Sequence, residues 1–484
     1  MFQTLKNAWK IPELKNKILF TLMIIVLYRL GSTLPMPWVN PAMFESFFNR
    51  SGNALGWLNM LSGGALSQAT LFALSVSPYI TASIVIQLLT IAIPKFEKWA
   101  KEGEAGKKKL SAITRVLTVG LALVTAIGYT MLMNAQEGML SFNAYNSGWA
   151  TWEKWVAYIV LVLAYCAGAS IIMWLAEKIN EHGIGNGISI ILFANIIARL
   201  PAMLGNIVDL CFKRGGVVTQ VSQTQTIKRG IGGLGLFAEG DYYIWQIVIG
   251  AVVLLAAAAL LLFCVVAVVW FSNSERRIPV QYAKRVVGRK MYGGQSTTLP
   301  IKLDMAGVMP VIFASSIVSI LPTIASFIPN NAWKWVVACR DFINNYLGHT
   351  SFPYIAMQII LIVAFAYFYI SISFNPVEVS NNLRNNGGAI PGIRPGKPTV
   401  DYIKKILNRI TLLGALFLCV LSGLPMIVNA IWVAIETAKY GAGYGISDLA
   451  FGGTSLLIVV GVALETFREL EAQMTLRNYK GFLD

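Results

Sequence analysis

Basic residues carry most of the polar chemistry this sequence offers. The run Ser274–Pro300, SERRIPVQYAKRVVGRKMYGGQSTTLP, sets Arg276-Arg277, Lys284-Arg285 and Arg289-Lys290 among tyrosine, valine and isoleucine. That alternation suits a β-hairpin or short extended arms. A second run, Asn381–Arg409, reads NNLRNNGGAIPGIRPGKPTVDYIKKILNR. Pro391, Pro395 and Pro398 with Gly392 and Gly396 stiffen it into a tight hairpin with Arg394 at its tip. Cations on rigid arms suit an anionic partner, either RNA phosphates or an acidic protein surface. Topology alone would keep basic loops on one side of a membrane, but it does not account for their length, aromatics and punctuation. The Lys107-Lys108-Lys109 run reads as solvated charge.

Covalent and metal chemistry find little here. The two histidines, His182 and His349, are far apart, so a metal cluster or a Ser-His-Asp triad is not expected. GIRPGKPT differs from a phosphate-binding loop: three residues separate Gly392 from Gly396, and prolines stand where a helix must begin. Gly230, Gly232 and Gly235 spell GxGxxG without a preceding strand, a chance match. Five cysteines include no Cys-x-x-Cys; Cys211 and Cys339 fall on the same side of the membrane, where a bond is chemically allowed and free thiols are the simpler reading.

Composition places the chain in a membrane: 56% apolar, 13% charged, mean hydropathy +0.62. About ten apolar runs are long enough to span, near 18–35, 74–93, 116–134, 155–175, 188–204, 244–271, 305–327, 354–373, 410–433 and 449–467. With both termini in the cytoplasm, the cytoplasmic segments hold 28 Lys and Arg and the external loops nine. That asymmetry sets the orientation. The spans divide five and five around an external loop, 205–243, giving halves 1–204 and 244–484; an odd number in each half requires the second to be inverted. The expected fold is an all-α integral membrane protein of two inverted five-helix halves around a central passage, with basic cytoplasmic loops 272–304 and 374–409.

The segment Leu58–Pro94 is unusual. Gly63-Gly64 and the polar residues after them loosen its first part, near 57–70, which is too short to cross; Pro78 interrupts the longer run. Broken backbone is not tolerated against lipid, so this element sits inside protein, against a cavity. Arg29, late in the first span, either snorkels to the interface or pairs within the bundle.

The motifs LNMLSGGALSQATLFAL (58–74), SPYITASIVIQLL (77–89), EHGIGNGISIILFANI (181–196), AKRVVGRKMYGGQSTTLPIKLDMAGVMPVIFASSI (283–317), PGIRPGKPT (391–399), LNRITLLGALFL (407–418) and FGGTSLLIVVGVALE (451–465) resemble the SecY family, pore subunits of the bacterial Sec protein translocon. The resemblance covers nearly every span; the external loops 205–243 and 328–353 look longer than the family's. It implies an hourglass channel in the bacterial cytoplasmic membrane that passes unfolded secretory polypeptides and releases signal or transmembrane segments sideways into lipid. Its pore ring would be Val76, Ile80, Leu192, Ile196, Ile312 and Ile458. Val76/Ile80 and Leu192/Ile196 are i, i+4 pairs, each on one helical face. Asn59, Met60, Leu61, Ser62, Gly63 and Gly64 would form a small, weakly anchored plug helix. Gln87, Ser315, Ser316 and Ser319 would lie near a lateral gate between the second and seventh spans. The family implies no cofactor and no catalysis, with energy from the SecA ATPase or a translating ribosome docking on Arg276, Arg277, Lys284, Arg285 and Arg394. Small SecE and SecG subunits are the expected membrane partners.

The rival class is a secondary transporter for a small solute, which shares the span count and broken helices. It needs ionisable groups at the midplane, and here Glu177 and Glu465 lie near span ends. A membrane hydrolase lacks paired catalytic groups.

Overall fold

The computed structural model describes residues 8–41, 43–44, 58–59, 61–135, 139–143, 149–212, 217–222, 225–229, 243–282, 285–287, 290–292, 296–328, 333–347, 351–440 and 447–480. In chain order, α1 (Pro12–Thr33) is followed by α2 (Ser77–Ala92), α3 (Pro94–Lys101), α4 (Glu104–Ala135), α5 (Thr151–His182) and α6 (Gly187–Phe212). A hairpin of β1 (Val217–Ser222) and β2 (Gln225–Arg229) precedes α7 (Tyr243–Asn273). Next come β3 (Glu275–Tyr282), β4 (Arg285–Val287), β5 (Lys290–Tyr292) and β6 (Ser296–Lys302). The chain continues through α8 (Met309–Ser326), α9 (Lys334–Tyr346), α10 (Phe352–Ser373), α11 (Pro376–Asn385), β7 (Gly388–Ala389), α12 (Lys397–Tyr440) and α13 (Ser447–Lys480).

Each expected apolar run is covered over most of its length by one helix. By length and apolarity alone, six described helices can cross a bilayer: α4, α5, α7, α8, α10 and α12. A seventh joins them if α2 and α3, bent by 101° at their break, count as one span. Pro94 lacks the N–H that would carry α2 onward, so the chain turns there. Pro78 acts differently from expectation: it sits in the first turn of α2, where its missing N–H costs nothing, and it begins a helix rather than breaking one.

Burial separates inner from outer helices. Only 18% of the apolar window of α7 is buried inside the protein, against 67% for α8, so α7 lies at the outside of the bundle and α8 runs through its centre. The central apolar cluster draws on Ile24 and Tyr28 of α1, Ile80 and Ile84 of α2, and residues of α5 to α8, α10, α12 and α13. Small residues permit the closest approaches. A Cβ on Gly461 of α13 would stand 2.0 Å from Val308 Cγ2, just before α8.

The first basic run pairs β3 with β6 as the expected hairpin, and the second run, expected as a hairpin of its own, joins it in one body. β6, β3 and β7 make an antiparallel sheet in which Ile278 pairs with Leu299 and Gln281 with Ala389. Its inner face (Ile278, Val280 and Ile301) packs on Leu383 and Ile390, and on Ile403, Leu407 and Ile410 of α12. Replacing Ile301 by alanine should cost about 2–4 kcal/mol. Amide exchange in β3, β6 and β7 should then accelerate while the centre of α8 keeps its protection, read by hydrogen–deuterium exchange of the purified protein.

Candidate functional site

The stretch 58–76 carries the irregular backbone. It is helical at Leu58–Asn59 and Leu61, then proceeds through consecutive turns to Val76, so the short helix expected near 57–70 is largely a turn structure. The cause is local: Gly63 and Gly64 adopt φ of +68° and +92°, which a right-handed helix excludes. Ala69 and Ser75 also sit at positive φ, +48° and +50°, conformations that cost non-glycine residues about 1–2 kcal/mol each.

Hydrogen bonds hold this segment from several sides. Within it, the Asn59 side chain accepts from the Ser67 amide at 3.0 Å, and the Ser62 hydroxyl accepts from the Leu66 amide at 3.0 Å. The Leu71 amide donates to the Leu34 carbonyl, 3.0 Å, beside a bridge between Pro35 and Thr70. Tyr129 of α4 donates to the Leu66 carbonyl at 2.6 Å. Gly168 of α5 leaves the Leu71 carbonyl room, since a Cβ there would lie 2.2 Å from its oxygen.

The deepest contact comes from Asn195 of α6. Its Nδ2 donates to the Leu61 carbonyl at 2.6 Å and to the Tyr28 hydroxyl at 2.8 Å, with Ser75 Oγ at 3.4 Å. Ser75 also donates to the Leu61 carbonyl, 3.2 Å. Asn195 is fully buried, and its Oδ1 has no partner among the described residues. Gly63 faces it: a Cβ there would stand 3.0 Å from that Oδ1. One residue earlier, the Ala194 carbonyl accepts from Arg29 at 3.1 Å, so Arg29 pairs within the bundle. The segment is therefore bound by a polar network, more firmly than its small residues suggest.

Around this network the structure brings all six ring candidates into one cluster. Val76, Ile80, Leu192, Ile196, Ile312 and Ile458 are each 3% exposed or less, and Leu61 joins them. The Ile80 amide donates to the Val76 carbonyl, 2.9 Å, which stacks that pair on one face. α2 and α8 pack against one another. Ser315, Ser316 and Ser319 are buried on α8, where Ser315 and Ser319 donate to carbonyls of their own helix. Gln87 donates to Ser83 on α2, 3.4 Å.

Arg276 and Arg277 are exposed on β3, Arg277 donating to Glu275 at 2.7 Å. Arg394 projects from a turn between Gly392 (φ +81°) and Gly396 (φ +108°), and its carbonyl accepts from Thr399 Oγ1 at 2.9 Å. The sheet meets the helices at Asp304, which accepts from Ser272 at 3.1 Å; Arg468 of α13 donates to the Ser272 carbonyl and to Asn273. Burial pushes the Asp304 carboxyl above its ordinary range, against the opposing pull of Ser272, Arg468 and the Gly307 amide. Met60, Lys284, His349 and the GxGxxG glycines lie outside the described residues, as does the side chain of Arg285; contrary to expectation a strand, β2, ends directly before Gly230. Cys339 is free, and the side chain of Cys211 lies outside the described residues. Among the described residues no group of His, Cys, Asp and Glu could hold a metal ion.

The SecY family model matches residues 70–467. Protein translocase subunit SecY of Mycobacterium tuberculosis is 40% identical over 496 aligned residues, and that of Streptomyces coelicolor 41% over 489, each covering 100% of both chains. A solved SecY structure, in which the plug domain stabilises the closed state of the translocation channel and maintains a membrane seal, superposes with TM-score 0.55 at 18% identity. It covers 95% of this chain and 92% of its own.

Sequence reading missed Asn195, Tyr28 and Ser75. A lone asparagine within ILFANIIA was the available signal, since an amide in an apolar span needs a partner. Asn195→Ala leaves the buried Leu61 carbonyl without its closest donor, at a cost of about 1–3 kcal/mol. Exchange of the Ser62 and Leu66 amides should rise by roughly 5- to 150-fold, measured by mass spectrometry in detergent or nanodiscs.

Proposed function

The chain belongs to the SecY family, and from that premise we propose how this multi-pass membrane protein and protein-conducting channel seals, opens and is driven. Two inverted halves, 1–204 and 244–484, flank the passage. Val76, Ile80, Leu192, Ile196, Ile312 and Ile458 form its constriction. The carrying observation is their convergence, with Leu61, in one buried aliphatic cluster.

An aliphatic ring closes on itself at little cost and gives an ion nothing to replace its water. A charge at the bilayer centre costs about 2.5 kcal/mol or more, so leakage is slow. The same ring offers no hydrogen-bonding group, so it grips no particular side chain and polypeptides of any sequence slide. The segment near 57–70 acts as the plug, with Asn59, Met60, Leu61, Ser62, Gly63 and Gly64 as its candidate residues. Asn195 and Ser75 latch them through the Leu61 carbonyl, with the Tyr28 hydroxyl accepting from Asn195. The solved channel whose plug maintains a membrane seal supports this reading.

Sideways release runs between α2 and α8, near Gln87, Ser315, Ser316 and Ser319. Burying an apolar stretch of about ten residues in lipid yields several kcal/mol at roughly 25 cal/mol per Å² and biases that seam open. The protein is a channel and not a catalyst, so the driving energy comes from a SecA-type ATPase or a translating ribosome. Either partner docks on the basic sheet through Arg276, Arg277, Lys284, Arg285 and Arg394. Small SecE- and SecG-like subunits complete the assembly in the bacterial cytoplasmic membrane, with both termini in the cytoplasm.

A photo-crosslinking residue at Val76 or Ile312 should trap a secretory chain stalled in transit. Absence of any adduct together with persistent solute uptake would establish the transporter reading instead. Arg394→Glu should abolish ATPase- or ribosome-coupled secretion in reconstituted vesicles while the protein still inserts. Wild-type secretion by that variant removes Arg394 from the docking surface.

A further inference from the structure

The helix α9 is left unexplained by the passage and by the basic sheet. It packs on α8 and α10 yet exposes large aromatic groups. Trp335 is 64% exposed, Phe342 60% and Tyr346 55%. With about 100° between successive residues of a helix, Trp335, Ala338, Cys339, Phe342 and Tyr346 fall on one stripe. All five are exposed. Lys334 and Asp341, also exposed, share a second face beside it. Val336, Val337, Arg340 and Ile343 make a third, half-buried face toward the bundle. The Arg340 guanidinium turns inward to the Ile328 carbonyl at 3.4 Å and to Asp341 at 2.8 Å, so it adds no charge to the aromatic stripe.

Three such faces suit one surrounding: protein on one side, water on the second and an apolar medium with a polar edge on the third. The position of the helix agrees. α8 leaves the basic sheet, and its 18 residues rise about 27 Å, close to the roughly 30 Å of a hydrocarbon core. Its far end therefore reaches the opposite interface, and α9 begins shortly afterwards. By span parity the start of α5 lies on that same side, where Trp152 and Trp155 are also two-thirds exposed. Tryptophan and tyrosine collect at the headgroup level because their rings are amphipathic.

We propose that α9 lies in the membrane interface on the side opposite the basic sheet, its Trp335–Tyr346 stripe buried among lipid headgroups and upper acyl chains. It would thereby tether the far end of α8 at a fixed depth. The inference needs only that α8 crosses the bilayer; it is independent of the plug and ring roles.

Cys339 supplies the probe, because it lies on the stripe and is free and exposed, whereas Cys166, Cys264 and Cys419 are buried. In a Cys211→Ser background, a nitroxide on Cys339 is read by power saturation in phosphatidylethanolamine–phosphatidylglycerol nanodiscs. Oxygen should relax it more than a water-soluble nickel chelate does, at a depth of about 5–10 Å. Labels at Ala338→Cys and Asp341→Cys, each with Cys339→Ser, should report lipid and water respectively. Nickel-dominated relaxation at positions 338 and 339 overturns the proposal in favour of a solvated helix. Protection from both relaxants overturns it in favour of a covering protein partner. The two extra label sites also keep the test decisive if one variant fails to fold.

Discussion

Irregular backbone inside an apolar cluster has to find a partner for its amides and carbonyls without water, and this requirement shapes the centre of the molecule. The segment 58–76 cannot satisfy itself by helix formation, because Gly63, Gly64, Ala69 and Ser75 lie at positive φ. Turns within the segment and the Ser75 hydroxyl answer some of its groups, and others are answered from outside: Leu66 by Tyr129, Leu71 by Leu34, and Leu61 by Asn195. Asn195 precedes Ile196 in sequence. One turn of α6 thus supplies both a residue of the proposed seal and the amide that holds the 58–76 segment in its seat. Glycine at 63 follows from the same geometry, since any side chain there meets the Asn195 amide and backbone.

The two functional bodies are built from opposite chemistry and share a short joint. The central cluster is aliphatic and undirected, while the three-stranded sheet exposes cations on a rigid frame. Between them lie Ser272 at the end of α7, Asp304 before α8, and Arg468 on α13. Gly414 of α12 also approaches this joint, where a Cβ would stand 3.1 Å from the Leu303 carbonyl. A partner bound at Arg394 would press on the sheet, and α8 starts only seven residues after β6 ends. The joint gives a short covalent and hydrogen-bonded route from the sheet to α8, which packs on α2.

Much of the fold was legible because its cause is local. Apolar runs long enough to span gave the positions of the long helices, and glycine and proline marked the Arg394 turn. Other features depend on contacts distant in sequence. Pairing of Gln281 with Ala389 joins two loops that read separately as arms, and two residues of β7 leave no periodic signal. The positive φ of Ala69 and Ser75 is likewise set by the seat, not by residue type. The ring candidates came from family resemblance: an isoleucine in a membrane helix looks the same whether it faces lipid or a constriction. Asn195 shows the converse case, a residue whose type alone required a partner but whose partner only the fold identifies.

The energetic scale of the seat suits the proposed plug, which would have to leave it. Each hydrogen bond to the 58–76 segment contributes a net of about 0.5–1.5 kcal/mol, and burial of Leu61 about 1.5–3 kcal/mol. Two strained backbone positions subtract roughly 1–2 kcal/mol apiece. The balance is a few kcal/mol in favour of closure. Moving a two-state equilibrium from 1:99 to 99:1 takes about 5.5 kcal/mol of differential binding, which is within reach of an apolar segment entering the α2–α8 seam. A purely aliphatic seat of similar size would lack a fixed register, and a fully satisfied polar one would be harder to vacate. Asn195 sets this chain between those limits: its Nδ2 fixes the Leu61 carbonyl and the Tyr28 hydroxyl, while the side chains around them are aliphatic.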